Sequence, residues 1–230
     1  MNKNKLNQKI GPPVNDWKPS IYPTQEEMNG QYCNVIPFDI NSHAKELFNA
    51  FNMYQDESNW TYLPNGPFNN FQEYHSWLKS FCLGKDPLFY TVIDSKNSEA
   101  IGLTSYLRIE PTVGVIEVGN IHYSPRLQNT AMGTEAMYLM MKKVFEEWGY
   151  RRYEWKCDHY NEPSKKAAIR LGFTFEGVFR QATIYKNRNR DSAWFSVIDK
   201  EWPNLKKKYE KWLLPSNFDS NGIQINRLYN

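Results

Sequence analysis

The chain has little of what would mark several common classes of protein. Three of its 230 residues are cysteine, Cys33, Cys82 and Cys157, and no two form a CxxC pair. That spacing excludes a disulfide-knit scaffold or a zinc knuckle and favours a reducing compartment, so a cytoplasmic location is expected. The four histidines are scattered without metal-ligand spacing, and no metal is expected. No window approaches ~18 consecutive apolar residues, which excludes a membrane-spanning helix. The opening MNKNKLNQKIGPPVNDW lacks the apolar block of a secretory leader. There is no Gly-Lys-Ser/Thr phosphate loop and no GxGxxG turn. Charge of one sign is also scarce: 28 Lys and Arg against 25 Asp and Glu leave +3. A nucleic-acid-coating protein is disfavoured by that balance, which suits a small phosphate-bearing ligand better.

Large apolar side chains, in contrast, are plentiful. Aromatics make up 16% of the chain, with 8 Trp, 15 Tyr and 13 Phe, enough to build a core and to exclude a disordered chain. Residues 1–30 carry Pro12, Pro13, Pro19 and Pro23 and read as an irregular arm, with Trp17, Ile21 and Tyr22 as pins. Residues 31–213 read as one domain and 214–230 as a tail. Tyr32–Phe38 is a first strand. A helix capped by Asn41 or Ser42 follows, with Ala44, Leu47, Phe48 and Phe51 as its stripe. After the loop NWTYLPNGPFNN comes a second helix with Phe68, Phe71, His75, Leu78 and Cys82 at helical spacing. Leu88–Asp94, Ala100–Glu110 and Val115–Tyr123 read as an antiparallel meander, with Ile101, Leu103, Ser105, Leu107 and Ile109 on one face. A long helix over Thr130–Trp148 stops at Gly149. Strand Tyr150–Asp158, helix Glu162–Leu171, strand Phe173–Arg180, strand Ala193–Asp199 and helix Glu201–Leu213 complete one mixed α/β domain.

The segment IEVGNIHYSPRLQNTAMGTEAMYLMMKKVF is the informative one. A strand ends at Tyr123, a polar loop follows, and Thr130, Ala131, Gly133 and Thr134 open a helix. Small side chains there let a ligand approach main-chain N–H groups that have no partner inside the helix. A pyrophosphate suits such a place, and Arg126 would add charge. An ordinary helix start explains the same residues equally well. A second segment, WKCDHYNEPSKKAAIRLGFTFEG, puts Asn161 and Ser164 in a loop entering a short helix closed by Leu171-Gly172-Phe173.

Together these segments resemble the GNAT superfamily of N-acetyltransferases, in its RimJ/RimL-type branch. Gln128-Asn129-Thr130-Ala131-Met132-Gly133 matches the family's Q/R-x-x-G-x-G/A signature, with Ala131 in place of the first glycine. Asn161-Glu162-Pro163-Ser164 and Leu171-Gly172-Phe173 match the N-x-x-S and L-G-F of the branch. The resemblance covers roughly residues 32–200 and omits the arm and the tail. It implies a mixed, mostly antiparallel sheet flanked by helices, whose fourth and fifth strands splay apart. It implies acetyl-CoA or another acyl-CoA as donor, with the pantetheine arm in the splay against the backbone of Ile121, His122 and Tyr123. The amides of Asn129, Thr130, Ala131, Met132, Gly133 and Thr134 would then cradle the pyrophosphate. Gln128 would open that loop, and Asn161 would bond the pantetheine from the other side.

Transfer to an amine requires that the amine lose a proton, a task for a carboxylate. Many members of the family place that base at the position of Glu117. Strand alternation puts Glu117 on a face with Val115, Ile121 and Tyr123, an acid in an apolar row; a solvent-facing strand Glu is the plain alternative. Much of the superfamily protonates the leaving thiolate with a Tyr where this chain has Ala168. The branch implies Ser164 instead, although Ser164 would also serve as a helix cap. Lys156 beside Cys157 is a candidate to lower that thiol's pKa, but a core cysteine is the simpler reading. The run Lys206-Lys207-Lys208 reads as a solvated face rather than an RNA patch, and Lys186–Asp191 as a charged hairpin tip that turn chemistry alone explains, unless it touches an acidic acceptor or rRNA. The expected activity is an acyl-CoA-dependent N-acyltransferase acting by direct attack of a primary amine, small-molecule or peptide. The alternative is a catalytically silent CoA-binding or interaction module. Oligomeric state is not fixed; a homodimer is compatible.

Overall fold

The computed structural model describes residues 2–53 and 57–229. Its strands are β1 (Asn2–Lys3), β2 (Lys9–Ile10), β3 (Met28–Asn29), β4 (Cys33–Pro37), β5 (Leu88–Asp94), β6 (Ala100–Glu110), β7 (Val115–Tyr123), β8 (Arg152–Asp158), β9 (Thr174–Tyr185) and β10 (Arg188–Ile198). Its helices are α1 (Ile40–Phe51), α2 (Phe71–Phe81), α3 (Ala131–Lys142), α4 (Glu162–Arg170) and α5 (Trp202–Trp212). β1 and β2 form a separate small hairpin. The other eight strands make one sheet in the order β3-β4-β5-β6-β7-β8-β10-β9. Every neighbouring pair is antiparallel except β7 and β8, which run parallel.

Each face of the sheet buries its own apolar cluster. Leu47, Phe51, Trp60, Tyr74, Leu78, Phe89 and Leu103 join α1 and α2 to one face. Tyr106, Val118, Met137, Met141, Tyr153, Phe195 and Tyr209 join α3 and α5 to the other. This two-layer burial is the driving term of the fold, since each fully buried large apolar side chain contributes roughly 1.5–3 kcal/mol. Side-chain caps fix where the helices start: Asp39 accepts from the Ser42 amide, Asn70 from Glu73, Thr130 from Gly133 and Asn161 from Ser164. Such a cap contributes about 1 kcal/mol and satisfies one orphan N–H.

The structure departs from the sequence reading in several places. The first helix is capped by Asp39, not by Asn41 or Ser42, because Asp39 is the last extended residue and the chain turns helical at Ile40. The arm is not wholly irregular: β1–β2 forms before its prolines and β3 after them, and Trp17 is pinned through an Nε1–H bond to the Thr112 carbonyl at 2.8 Å. The alternation predicted along β6 holds only for Leu103, Ser105 and Leu107. Bulges at either end, one with Arg108 at φ 48°, turn Ile101 and Ile109 to the other face. The α-helical part of the long helix ends at Lys142, and a wider π-turn over Lys143–Glu147 carries it to Gly149. The last hairpin is longer than predicted. Its turn is Lys186-Asn187 alone, at φ 48° and 56°, the left-handed pair a two-residue hairpin needs. In the tail, Leu228 is buried in the core and Phe218 packs against it.

Candidate active site

The site begins with one displaced residue. β7 pairs with β6 at His122↔Leu103 and at Gly119↔Ser105, so three steps on β7 oppose two on β6. Asn120 takes up the excess at φ 50°, a left-handed conformation that Asn tolerates better than most side chains. Ser105 secures the bulge: its hydroxyl donates to the Gly119 carbonyl at 3.2 Å and accepts from Asn120 Nδ2 at 2.9 Å. On the other side, β7 pairs with β8 only from Val115↔Arg152 to Val118↔Trp155. Beyond Val118 the two strands part. The backbone edges of Gly119–Tyr123 and Lys156–Asp158 that would have met face a gap, and this is the splay expected of the fourth and fifth strands.

The bulge also corrects the face of Glu117. Its neighbours on that face are Gly119 and His122, not Ile121 and Tyr123, since one extra residue inverts the alternation. Glu117 is 3% exposed, so it is not a solvent-facing strand residue. Its Oε2 takes Arg108 at 2.6 Å and Lys156 at 2.8 Å. The nearest approach of both cations is to the same oxygen. Lys156 Nζ also lies 2.8 Å from Glu154 Oε2 and 3.7 Å from the Trp194 ring centroid. Glu154 in turn holds Arg152 at 2.6 Å, and Arg152 pairs with Glu176. Two adjacent buried carboxylates are thus kept together by a buried ammonium. Sequence reasoning missed Lys156 in this role. The available signal was the spacing Glu154-x-Lys156, which puts both on one strand face. Cys157 points the other way; its thiol is pushed up by burial, not lowered by Lys156.

At the end of the splay, Ser124 accepts the amides of Leu127 and Gln128, and the loop enters α3 through Asn129 at φ 59°. Thr130 Oγ1 donates to the Leu127 carbonyl at 2.7 Å and accepts from Gly133 at 3.2 Å; the Thr134 amide reaches the Thr130 carbonyl. Among the described residues the N–H groups of Asn129, Thr130, Ala131 and Met132 have no protein acceptor. They lie at the helix N-terminus where the sequence places the expected cradle, and the amides of Gly133 and Thr134 are already engaged within the chain. A Cβ at Gly133 would sit 2.8 Å from the Leu127 carbonyl oxygen, inside the loop. Gln128 bonds the Tyr123 carbonyl at 2.8 Å and Asn59 at 3.0 Å. Arg126 does not serve the cradle. It pairs with Asp94 and Glu99.

Across the gap, Asn161 Oδ1 caps α4 by accepting from the Ser164 amide at 3.1 Å. The cap is therefore Asn161, and the Ser164 hydroxyl is left for other work. It accepts from Trp155 Nε1 at 3.0 Å. Ala168 is buried. On the α1–α2 side of β7, a small pocket is lined by Trp60, Leu63, Trp77, Leu103, Asn120 and His122. His122 stacks on Phe51 at 3.6 Å and meets Trp60 at 4.1 Å between centroids. Its two ring nitrogens have no partner among the described residues, and burial pushes its pKa down to about 3. Two other carboxylates near the site are occupied: Glu135 accepts three amides, from Gln31, Tyr32 and Cys33, and Glu154 is ion-paired as above. Among the described residues no three metal-ligating side chains gather, and no helix is long and apolar enough to cross a membrane.

Residues 36–174 match the family model described as an acetyltransferase (GNAT) domain. A GCN5-related N-acetyltransferase from Brucella melitensis is 43% identical, with a TM-score of 0.91 over 94% of this chain and 97% of that one. The ribosomal-protein-serine acetyltransferase of Escherichia coli is 28% identical over 107 residues, which span 46% of this chain and 59% of that protein. A microcin C7 self-immunity acetyltransferase, solved in complex with acetyl-CoA and AMP, shares the fold at 19% identity, with a TM-score of 0.61 over 74% of this chain and 93% of its own. With a splayed parallel pair, a helix-start amide cradle and a family model covering most of the domain, the chain belongs to the GNAT family of N-acetyltransferases.

Proposed function

We propose that the chain transfers the acetyl group of acetyl-CoA to a primary amine, small-molecule or peptide, held on the α1–α2 side of the splay. The observation that carries this reading is the parting of β7 and β8 beyond Val118, which ends at the unpartnered amides of Asn129–Met132. The first suits an extended chain bearing amides and the second suits phosphates, and acetyl-CoA joins the two. The residues fit the donor in this order: Ile121, His122 and Tyr123 backbone along the pantetheine, the α3 cradle and Thr134 turn at the pyrophosphate, and Asn161 Nδ2 from α4. When bound, acetyl-CoA supplies the activated acyl group.

The chain's own residues supply positioning and proton transfer. Glu117 takes the proton of the incoming amine on Oε1, while Arg108 and Lys156 hold Oε2 and fix the carboxylate plane. Gly119 keeps that approach open, since a Cβ there would stand 3.6 Å from Oε1. The Ser164 hydroxyl, fixed as an acceptor by Trp155, directs its own hydrogen to the departing sulfur and is reprotonated from solvent. The α1–α2 aromatic layer excludes water from the acceptor side. A silent CoA-binding module is not favoured. Calorimetry with acetyl-CoA, followed by mass spectrometry of an amine panel incubated with enzyme and donor, tests the reading. Tight acetyl-CoA binding and a gain of one acetyl group on an amine are expected; donor binding without any acetylated amine would overturn it. The same chemistry, which needs a pool of acetyl-CoA, is consistent with a cytoplasmic setting.

A further inference from the structure

The hairpin of β9 and β10 carries four cations that the transfer chemistry does not use: Arg180, Lys186, Arg188 and Arg190. None of them pairs with a carboxylate among the described residues. Many surface lysines share that property, so placement decides the matter. Lys186 Nζ bonds the Trp60 carbonyl at 2.7 Å and Arg188 bonds the Thr61 carbonyl at 3.2 Å. The hairpin tip is thereby folded against the aromatic loop whose Trp60 lines the pocket beside Asn120 and His122. Arg188 and Arg190 lie 5.6 and 5.9 Å from the Tyr185 ring. Tyr185 in turn donates its hydroxyl to Asp158 Oδ2 at 2.8 Å, at the end of β8 where β7 has already left. Lys186, Arg188 and Arg190 therefore stand at the rim of the splay on the acceptor side.

Their donors are largely free. Arg190, half-buried, uses Nε on Ser192 Oγ at 3.1 Å, and its two terminal nitrogens have no partner among the described residues. That leaves a fork matched to a carboxylate or a phosphate. Lys186 and Arg188 each give one donor to a main-chain carbonyl and keep the rest. The anions facing this group are few: Asp158, engaged by Tyr185 and by the Tyr160 amide; Asp191, engaged by the Gln181 amide and Asn189; and Glu57. Burial, and then Arg188, lowers the Lys186 pKa, so the cations already crowd one another. A bound anion relieves that crowding.

We infer that the acceptor is an amine that also carries an anionic oxygen group, which Arg190 and the hairpin tip bind while the amine reaches Glu117. This deepens the proposed function and rests on it. The test uses the full chain saturated with CoA and two matched amine pairs: triglycine against triglycine amide, and phosphoethanolamine against ethanolamine. Within each pair the amine is similar and the anion is not. The anionic member of at least one pair should bind at least tenfold tighter by calorimetry, about 1.4 kcal/mol, and the preferred pair tells carboxylate from phosphate. In Arg190→Gln that preference should fall to within about threefold, and Arg190→Lys, which keeps the charge without the fork, should fall between. CoA affinity should be the same in all three proteins. Equal affinity within both pairs, no binding by any of the four, or a preference that survives Arg190→Gln overturns the inference. Failure of the donor reading shows separately, as absent CoA binding in the first titration. The wild-type comparison stands whether or not a variant folds.

Discussion

The two sides of the splay are built from different materials. The side proposed for the donor is mostly main chain: a bulge at Asn120, two strand edges released beyond Val118, and amides at the start of α3. Side chains there act on the chain itself, as Thr130 and Asn161 do when they cap helices. The side proposed for the acceptor is mostly side chains: Glu117, Lys156 and Arg108 in one ion cluster, the Trp60 and His122 box, and the cationic hairpin tip. A backbone site needs small residues and turn formers at fixed spacing, which constrains sequence tightly. A side-chain site can be built from many residue types brought from distant strands. The first kind carries over between relatives of one fold; the second is free to differ and sets what each relative acts on.

The sharpest way to break this division is at Glu117, and the largest effect is expected there. Glu117→Gln keeps the shape and removes the proton acceptor. The fold should survive, because Lys156 retains Glu154 at 2.8 Å and Arg108 is 59% exposed. Turnover near neutral pH should fall roughly 10²–10⁴-fold, with acetyl-CoA affinity unchanged by calorimetry. Near wild-type turnover would remove the carboxylate from the chemistry. Lys156→Met is the structural counterpart. It leaves two buried carboxylates facing each other with Arg108 and Arg152 as their remaining partners, and stability should drop by about 3 kcal/mol, the low end for breaking a buried pair. A melting temperature equal to wild type would show that the ion cluster is dispensable.

A smaller effect tests whether the donor loop is as intolerant of side chains as its geometry implies. Gly133→Ala forces a Cβ against the Leu127 carbonyl at 2.8 Å. Overpacking of this kind costs about 1–3 kcal/mol. Melting temperature and acetyl-CoA affinity should therefore fall together, and a stable variant with weakened binding would mean instead that the glycine serves the ligand directly.

His122 stands where the two sides meet, with its backbone on the donor side and its ring on the other. The ring stays neutral in the folded protein to about pH 3, whereas the unfolded chain protonates it near its ordinary 6.5. A depressed folded pKa gives stability that is fully present above pH 6.5 and lost as pH falls toward 3. His122→Phe keeps the stack on Phe51 and removes this titration. Melting curves should show the variant gaining on wild type as pH drops through that window. A constant difference between the two proteins across it would contradict the assignment.

Much of the turn and cap geometry on the side proposed for the donor was legible because its demands are local. Small residues after Tyr123, Asn161 three before Ser164, and Gly172 after Leu171 each declare a turn or cap within a few positions. The splay was reached through resemblance, not through periodicity. The bulge at Asn120 was not legible: a single left-handed Asn inside an alternating strand leaves the pattern VIEVGNIHY looking regular, and so the face of Glu117 was misassigned. Lys156 was missed for a related reason. Its partners come from β7 and from its own strand, and a parallel register is not written in either segment alone. Arg126 was misread because Asp94 and Glu99, which hold it, belong to a turn distant in sequence.

The smallest expected effect separates the two duties of Asn161. Its Oδ1 caps α4 on the Ser164 amide at 3.1 Å, and the proposed donor contact falls to Nδ2. Asn161→Ala removes both. Loss of the cap should cost ~0.5–2 kcal/mol, and on a chain of this size each kcal/mol lowers the melting temperature by about 2–4 °C. Loss of one hydrogen bond to the donor should raise the Michaelis constant for acetyl-CoA by roughly 2–12-fold, the equivalent of about 0.5–1.5 kcal/mol. Asn161→Asp resolves the two, because Asp caps helices as well as Asn does and supplies no amide N–H. Its melting temperature should match wild type, or exceed it slightly from the added charge at a helix N-terminus. Its Michaelis constant should nevertheless rise at least as far as that of Asn161→Ala, since a carboxylate would face an acceptor atom where an amide N–H had donated. If Asn161→Asp instead binds acetyl-CoA like wild type, Asn161 is a cap alone, and the donor side is made of main chain even where a side chain reaches it.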